Sequence, residues 1–244
     1  MRDKDSRKTL RPPSPIARSV AALRIVGLGD STTAGTPGFL SPLEAPPSGR
    51  GNPESQYAHW MMRARPDWTV LNRGVNGQRS DEILSRFARD VVRERADYVI
   101  ILAGVNDIYQ GRRPFDVQAS LDAMYRLALD ARIVPVAATV LPYDLHRRTL
   151  GDRLRGRPPS TARILREMNG WIAATARTLG LPFCDTNAAG GDPSDPDRLR
   201  GTPDGLHPDV AGYRRMGEGL VRTIEDHLSF RGPWTPSAGD RKVL

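Results

Sequence analysis

The sequence predicts a three-layer α/β/α sandwich built on a central parallel sheet of about five strands. Three observations carry that expectation. Short, nearly continuous apolar runs alternate with segments of helical periodicity from residue 23 to about 228. Strands apolar on both faces belong to parallel sheets covered by helices on each side. The chain has 244 residues, enough for one full domain, and no low-complexity run divides it. The expected organisation is a flexible basic N-terminal tail over residues 1–20, one domain over 21–228, and a C-terminal tail over 229–244.

Taken in order, LRIVGL (23–28) is an apolar run that stops at Gly29 and reads as a buried strand. A Pro/Gly-rich loop spans about 35–54, SQYAHWMMRAR reads as a helix, and WTVLN (68–72) as the second strand. Ser80 is placed to cap a helix in which Ile83, Leu84, Phe87 and Val91 recur at helical spacing. DYVIILAG (97–104) is the clearest strand, FDVQASLDAMYRLALDA an amphipathic helix, and IVPVAATV (133–140) the fourth strand. A helix near 160–179, a short strand at 182–185 and a last helix over about 208–228 complete the series. In such sheets, functional groups gather where loops leave the carboxyl ends of strands.

Composition narrows the function classes. Hydrophobic residues make up 39% and charged residues 26%, and no stretch approaches the eighteen or so apolar residues of a membrane span. Basic residues precede an apolar run at the N-terminus, but Arg24 interrupts that run and cleavage there would cut into the GDS segment. The expectation is a cytoplasmic protein with no membrane span. Cys184 is the single cysteine, and His59, His146, His207 and His227 show no paired ligand spacing, so neither a metal nor another cofactor is expected. The formal charge is +8, yet only Lys4, Lys8 and Lys242 among the 36 basic residues are lysines, and the arginines are spread over nearly every segment. No nucleic-acid-binding signature accompanies the charge, so no nucleic-acid partner is expected.

Four short segments fall at predicted strand exits: GDS (29–31), NRGVNG (72–77), GVND (104–107) and DGLH (204–207). In content, order and placement they resemble the four sequence blocks of the SGNH subgroup of GDSL-type esterases and lipases, over residues 23 to about 225. The resemblance implies the flavodoxin-like SGNH hydrolase fold and a serine ester hydrolase acting on small-molecule esters.

The chemistry of each position can be argued beside that resemblance. A serine hydroxyl is a poor nucleophile until a base takes its proton, and Ser31 is set just past a buried strand, where it is either that nucleophile or a turn or cap serine. His207 lies in a loop rich in Gly and Pro, three residues after Asp204. The spacing lets the Asp204 carboxylate accept the imidazole Nδ1–H and leave Nε2 for Ser31. Asp204 in TPDGLHP could instead shape a turn, and Asp209 is its weaker substitute. Pro208 suits the first turn of the following helix. The resemblance assigns the oxyanion donors to the backbone N–H groups of Ser31 and Gly77 and the side-chain amide of Asn106. Glycine permits close backbone approach, and an amide donates without charge. Gly74 rivals Gly77 for that role; Asn76 stands where the family often carries serine, and Thr32 follows GDS in place of leucine.

The reaction so implied is two-step acyl transfer by a carboxylesterase-like enzyme. Alternatives are an O-deacetylase of carbohydrate or natural-product esters, a thioesterase or lysophospholipase, and, outside enzymes, an inactive ligand-binding protein. Two loops, 35–54 and 143–160, are candidates to cover the site. The second carries Arg147, Arg148, Arg153, Arg155 and Arg157 against Asp144 and Asp152, so it is expected either to favour anionic esters or to be a solvated loop.

Overall fold

The computed structural model describes residues 22–142 and 160–231. Both tails and the arginine-rich segment 143–159 lie outside the described residues. The chain runs β1 (Arg24–Gly29), a single turn of helix α1 (Ser31–Ala34), a two-residue pair β2 (Phe39–Leu40) and β3 (Arg50–Gly51), then α2 (Tyr57–Ala64) and β4 (Thr69–Gly74). Next come α3 (Ser80–Ser85), β5 (Tyr98–Leu102), α4 (Val105–Tyr109), α5 (Pro114–Asp130) and β6 (Val134–Ala138). After the undescribed segment follow α6 (Ser160–Leu179), β7 (Phe183–Cys184), α7 (Thr186–Gly190), a small pair β8 (Gly191–Asp192) and β9 (Asp195–Leu199), and α8 (Val210–Arg231).

The five expected strands form one sheet in the order β4-β1-β5-β6-β7, with every neighbouring pair parallel. Alternate residues of each strand serve the two faces. Val26, Leu28, Val99 and Ile101 pack against Ile83, Leu121, Met124, Leu165, Met168 and Ile172 of α3, α5 and α6. Ile25 and Ile100 pack on the opposite face against Tyr57 and Met61 of α2 and Tyr213, Met216, Leu220 and Ile224 of α8. Val117, Leu121, Met124, Tyr125 and Ala128 of α5 fall at helical spacing and are buried, as the inward face of an amphipathic layer helix requires. Three layers result, with two separate apolar cores.

The strand order positions the site. Chain direction across the sheet reverses at β1, which pairs with β4 on one side and β5 on the other, and the carboxyl side of such a reversal is an open crevice. The register is level there: Gly29 pairs with both Gly74 and Leu102. Ser31, the loop after Gly74 and the turn at Gly104 therefore leave the sheet at one height.

Several local expectations are corrected. Residues 35–54 are not an unpaired loop: Phe39 pairs with Gly51 and Leu40 with Arg50, and a 3-10 turn covers Pro53–Ser55. The segment between β7 and α8 adds a helical turn and the β8–β9 pair, which the sequence reading passed over. Ser80 is not a cap. Arg79 precedes the helix, its N–H donating to the Glu82 carboxylate at 2.9 Å, and Ser80 is the first helical residue, with its hydroxyl directed to Asp107. The helix expected to continue through Val91 stops at Ser85, and a π turn follows over Ala88–Val92. Among the described residues, no helix is long and apolar enough to cross a membrane.

Candidate active site

Ser31 opens α1, whose N-cap is Asp30: the Asp30 Oδ1 accepts the Thr32 N–H at 2.9 Å. An Asp at that position satisfies an orphan donor of the first turn and fixes where the helix begins. Burial without a counter-charge in hydrogen-bond contact pushes the Asp30 carboxyl up to about 7, against the pull of the Thr32 N–H. The next turn is held from β4, where the Asn72 side-chain amide donates to Ala34 O at 3.0 Å and to Gln56 Oε1 at 2.7 Å.

The His207 Nε2 lies 2.8 Å from Ser31 Oγ, across 176 residues of sequence. Its Nδ1 lies 2.7 Å from Asp204 Oδ2, and the other oxygen, Oδ1, accepts the N–H groups of Leu206 and His207, each at 2.9 Å. One carboxylate thus bonds both the turn and the ring. Desolvation pushes its carboxyl up, but the hydrogen bonds from the His207 ring and from the two backbone N–H groups outweigh it and hold the carboxyl below its ordinary value. Asp209 caps the following helix instead, accepting the Gly212 N–H at 2.7 Å. Of the other histidines, His227 Nδ1 is 2.9 Å from the Tyr98 hydroxyl, His59 stacks edge-on against Trp60, and His146 lies outside the described residues.

Across from the histidine, the Asn106 amide donates to Gln78 O at 2.9 Å, which ties the start of α4 to the residue after Gly77 and, among the described residues, leaves one amide hydrogen uncommitted. Gly77 has φ +75°, a backbone region that side chains with a Cβ rarely adopt, and open space where a Cβ would stand. Gly74 is different. A Cβ there would sit 2.1 Å from Ala34 N, and its own N–H is spent on Asn72 Oδ1 at 3.0 Å. It is a close-packing glycine whose N–H is already committed. No hydrogen bond among the described residues takes up the N–H of Ser31 or of Gly77. The segment 36–51 leans on the same loop: Ser41 Oγ donates to Gly74 O at 2.6 Å and the Asn76 N–H to Glu44 Oε1 at 2.9 Å.

Two buried polar residues behind the site escaped the sequence reading. Asp107, fully buried, accepts both the N–H and the hydroxyl of Ser80 at 2.8 Å, and burial pushes its carboxyl up despite those two bonds. Arg86 donates to Gly29 O, Arg73 O, Gln78 Oε1 and Asp90 Oδ2. Asp107 stands inside the GVND segment and so had a signal, its place beside Asn106. Arg86, inside an amphipathic helical pattern in an arginine-rich chain, had none.

A hydroxyl, an imidazole and a carboxylate in line, at the sheet edge where a glycine turn and an asparagine amide also leave their strands, are parts that an acyl-transfer site uses. Comparison with known proteins places the chain as a whole. The model of the GDSL-like Lipase/Acylhydrolase family matches residues 28–215. No curated protein matches the chain. Among solved structures, a lipolytic protein of the G-D-S-L family from Desulfitobacterium hafniense superposes with a TM-score of 0.66 at 24% identity, covering 82% of this chain and 99% of that one. A GDSL-like lipase from Bacteroides thetaiotaomicron gives 0.66 at 22%, covering 85% and 90%. An acetylxylan esterase from Geobacillus stearothermophilus gives 0.63 at 20%, covering 84% and 94%. At these identities the structures speak for the shared fold, and the family match speaks for the chemistry. With its match running from the last residues of β1 into α8, the chain belongs to the GDSL-like Lipase/Acylhydrolase family and is a hydrolase of ester bonds.

Proposed function

We propose that the protein is a serine carboxylesterase of small-molecule esters, with Ser31 as nucleophile, His207 as general base and acid, and Asp204 as the group that orients the imidazole. The observation that carries the reading is the unbroken chain from Ser31 Oγ to His207 Nε2 at 2.8 Å and from His207 Nδ1 to Asp204 Oδ2 at 2.7 Å. Ser31 Oγ attacks the ester carbonyl carbon as its proton passes to Nε2. The carbonyl oxygen becomes an oxyanion, received by the N–H groups of Ser31 and Gly77 and the free amide hydrogen of Asn106. The imidazolium, stabilised by the Asp204 carboxylate, gives its proton to the departing alcohol, and an acyl-serine remains. Water then attacks the acyl carbon, its proton goes to Nε2, and collapse of the second tetrahedral species returns the proton to Ser31 Oγ and frees the acid.

The three donors suit this role because they are fixed before the reaction and carry no charge that would bind the ground-state ester. The test is a panel of p-nitrophenyl esters from acetyl to long acyl chains, read alongside labelling by a fluorophosphonate. Wild-type protein hydrolyses and is labelled; Ser31→Ala loses both by on the order of 10⁴-fold or more while its thermal unfolding is unchanged. Labelling that persists in Ser31→Ala rules out the assignment.

A further inference from the structure

Past the end of β4 the sheet can no longer hold the loop that carries Gly77. The ladder fixes Leu28 against Arg73 and Gly29 against Gly74, and beyond it, among the described residues, the one backbone bond from this loop to β1 runs from the Val75 N–H to Gly29 O, at 3.2 Å. The residue that spans this gap is Arg86. Its side chain is 6% exposed and that of its partner Asp90 is 4% exposed. The guanidinium donates from Nη2 to Gly29 O at 2.8 Å, from Nη1 to Arg73 O at 2.9 Å and to Asp90 Oδ2 at 2.8 Å, and from Nε to Gln78 Oε1 at 2.7 Å. Gly29 is two residues before Ser31, and Gln78 directly follows Gly77 and accepts the Asn106 amide.

We propose that Arg86 is the positioning residue of the oxyanion site: its rigid fork sets the spacing between the strand end that presents Ser31 and the loop that presents Gly77, and through Gln78 it aims the Asn106 amide. The proposal rests on the reading of Ser31, Gly77 and Asn106 given above. A guanidinium suits the task because its donors lie in one plane at fixed angles, so three acceptors bound at once are held at fixed separations; an ammonium on a flexible stem imposes no such geometry. Burying a paired charge is a poor route to stability, since apolar side chains of the same volume serve as well or better. What an apolar residue cannot do is tie two carbonyls and a side chain from two different functional segments to a single plane. The bond to Asp90, made from the same Nη1 that holds Arg73 O, neutralises the charge. Oxyanion donors act only when they are in place before the reaction, and small misplacements are costly in rate.

The experiment measures kcat per competent serine, so that loss of folded protein is separated from loss of alignment. Full-length wild type, Arg86→Lys, Gln78→Ala and Gln78→Glu are titrated to completion with a fluorophosphonate, and p-nitrophenyl acetate kinetics are normalised to the titrated sites, with Tm recorded for each. Arg86→Lys is expected to lower kcat per titrated site by about 100-fold with KM within about threefold. Gln78→Ala, which severs only the Nε tether and leaves the Arg86–Asp90 pair intact, lowers it by about tenfold. Gln78→Glu, which offers Nε the same acceptor, restores the wild-type value. Wild-type kcat per titrated site in Gln78→Ala, or in folded Arg86→Lys, overturns the proposal, and if Arg86→Lys does not fold then Gln78→Ala decides. A wild-type protein that the phosphonate does not label overturns the serine reading beneath it, an outcome distinct from a labelled enzyme indifferent to these substitutions.

Discussion

The two sides of Ser31 are built by different means. On the histidine side, one carboxylate does nearly everything: Asp204 accepts from the Leu206 and His207 N–H groups and from the imidazole, all within three residues of itself. On the amide side, no single short segment suffices. Asn106 leans on Gln78, Gln78 on Arg86, Arg86 on Gly29 and Arg73, and Asp107 on Ser80, so the donors are placed by contacts between segments 8 to 57 residues apart. On the proposed roles, the difference follows from what each side must do. A base has to reach one atom and turn a ring, which a local turn can manage. An oxyanion site has to hold donors from several strand exits around one point, which takes a rigid scaffold between them.

That contrast predicts unequal sensitivity. The largest loss is expected at His207: His207→Ala should lower kcat on p-nitrophenyl acetate by on the order of 10⁴-fold or more, because the proton acceptor itself is gone, whereas His227→Ala, whose ring meets Tyr98, should stay within about threefold. Asn106→Ala comes next, with kcat lowered by about 100-fold to 1000-fold and KM little changed, since the amide is used mainly in the transition state. A rise in KM with kcat intact would instead make Asn106 a substrate-binding residue and dissolve the contrast. Asp107→Asn is smaller again. It keeps the volume and the bond from the Ser80 N–H, but the Ser80 hydroxyl must turn round to accept the amide N–H, at a cost of about 0.5–1.5 kcal/mol in stability, measured by denaturant unfolding. Its kcat should fall by about tenfold through Asn106. If kcat holds while stability falls, Asp107 serves folding and not alignment.

The same contrast explains what could be read from the sequence. Strands such as DYVIILAG announce themselves by apolar runs, and the five strands and their helices lie where periodicity puts them, except that the helix expected through Val91 stops at Ser85. Ser31, Asp204 and His207 were legible because their relation is carried by short motifs and a three-residue spacing. Ser80 was misread because a serine ahead of an apolar-periodic run has the same local signature whether it caps the helix or, as here, opens it and bonds Asp107 across 27 residues. Arg86 left no trace, since a charged residue in a helical pattern reads as a solvated face and nothing local says that its fork turns inward to four acceptors. The β8–β9 pair fell between signals as well: two-residue strands are too short for any period to register. Long-range polar contacts and very short elements share this property, that tertiary context alone specifies them.

Asp30 joins the two sides, and substituting it should have the smallest effect on turnover while leaving a clear mark on stability. It begins the helix that presents Ser31, it is buried, and its electrostatic neighbours are Asp107, which raises its pKa further, and Arg86, which lowers it. The native carboxyl is pushed up to about 7 from an ordinary value of 3.8, mainly by desolvation. Below 3.8 both native and unfolded chains hold the proton and the group contributes no pH dependence. Between 3.8 and 7 the native state binds more protons than the unfolded one, so stability falls as pH rises, and above 7 the loss is complete. About three pKa units correspond to about 4 kcal/mol as an upper bound. Asp30→Asn retains an oxygen for the Thr32 N–H and removes the titration, so its stability should match wild type near pH 4 and exceed it at pH 8, in denaturant unfolding at the two pH values. Equal stability of the two proteins at pH 8 would mean that Asp30 is ionised at little expense, with the Arg86 guanidinium compensating its burial. The amide-side scaffold would then reach the nucleophile through charge as well as through geometry.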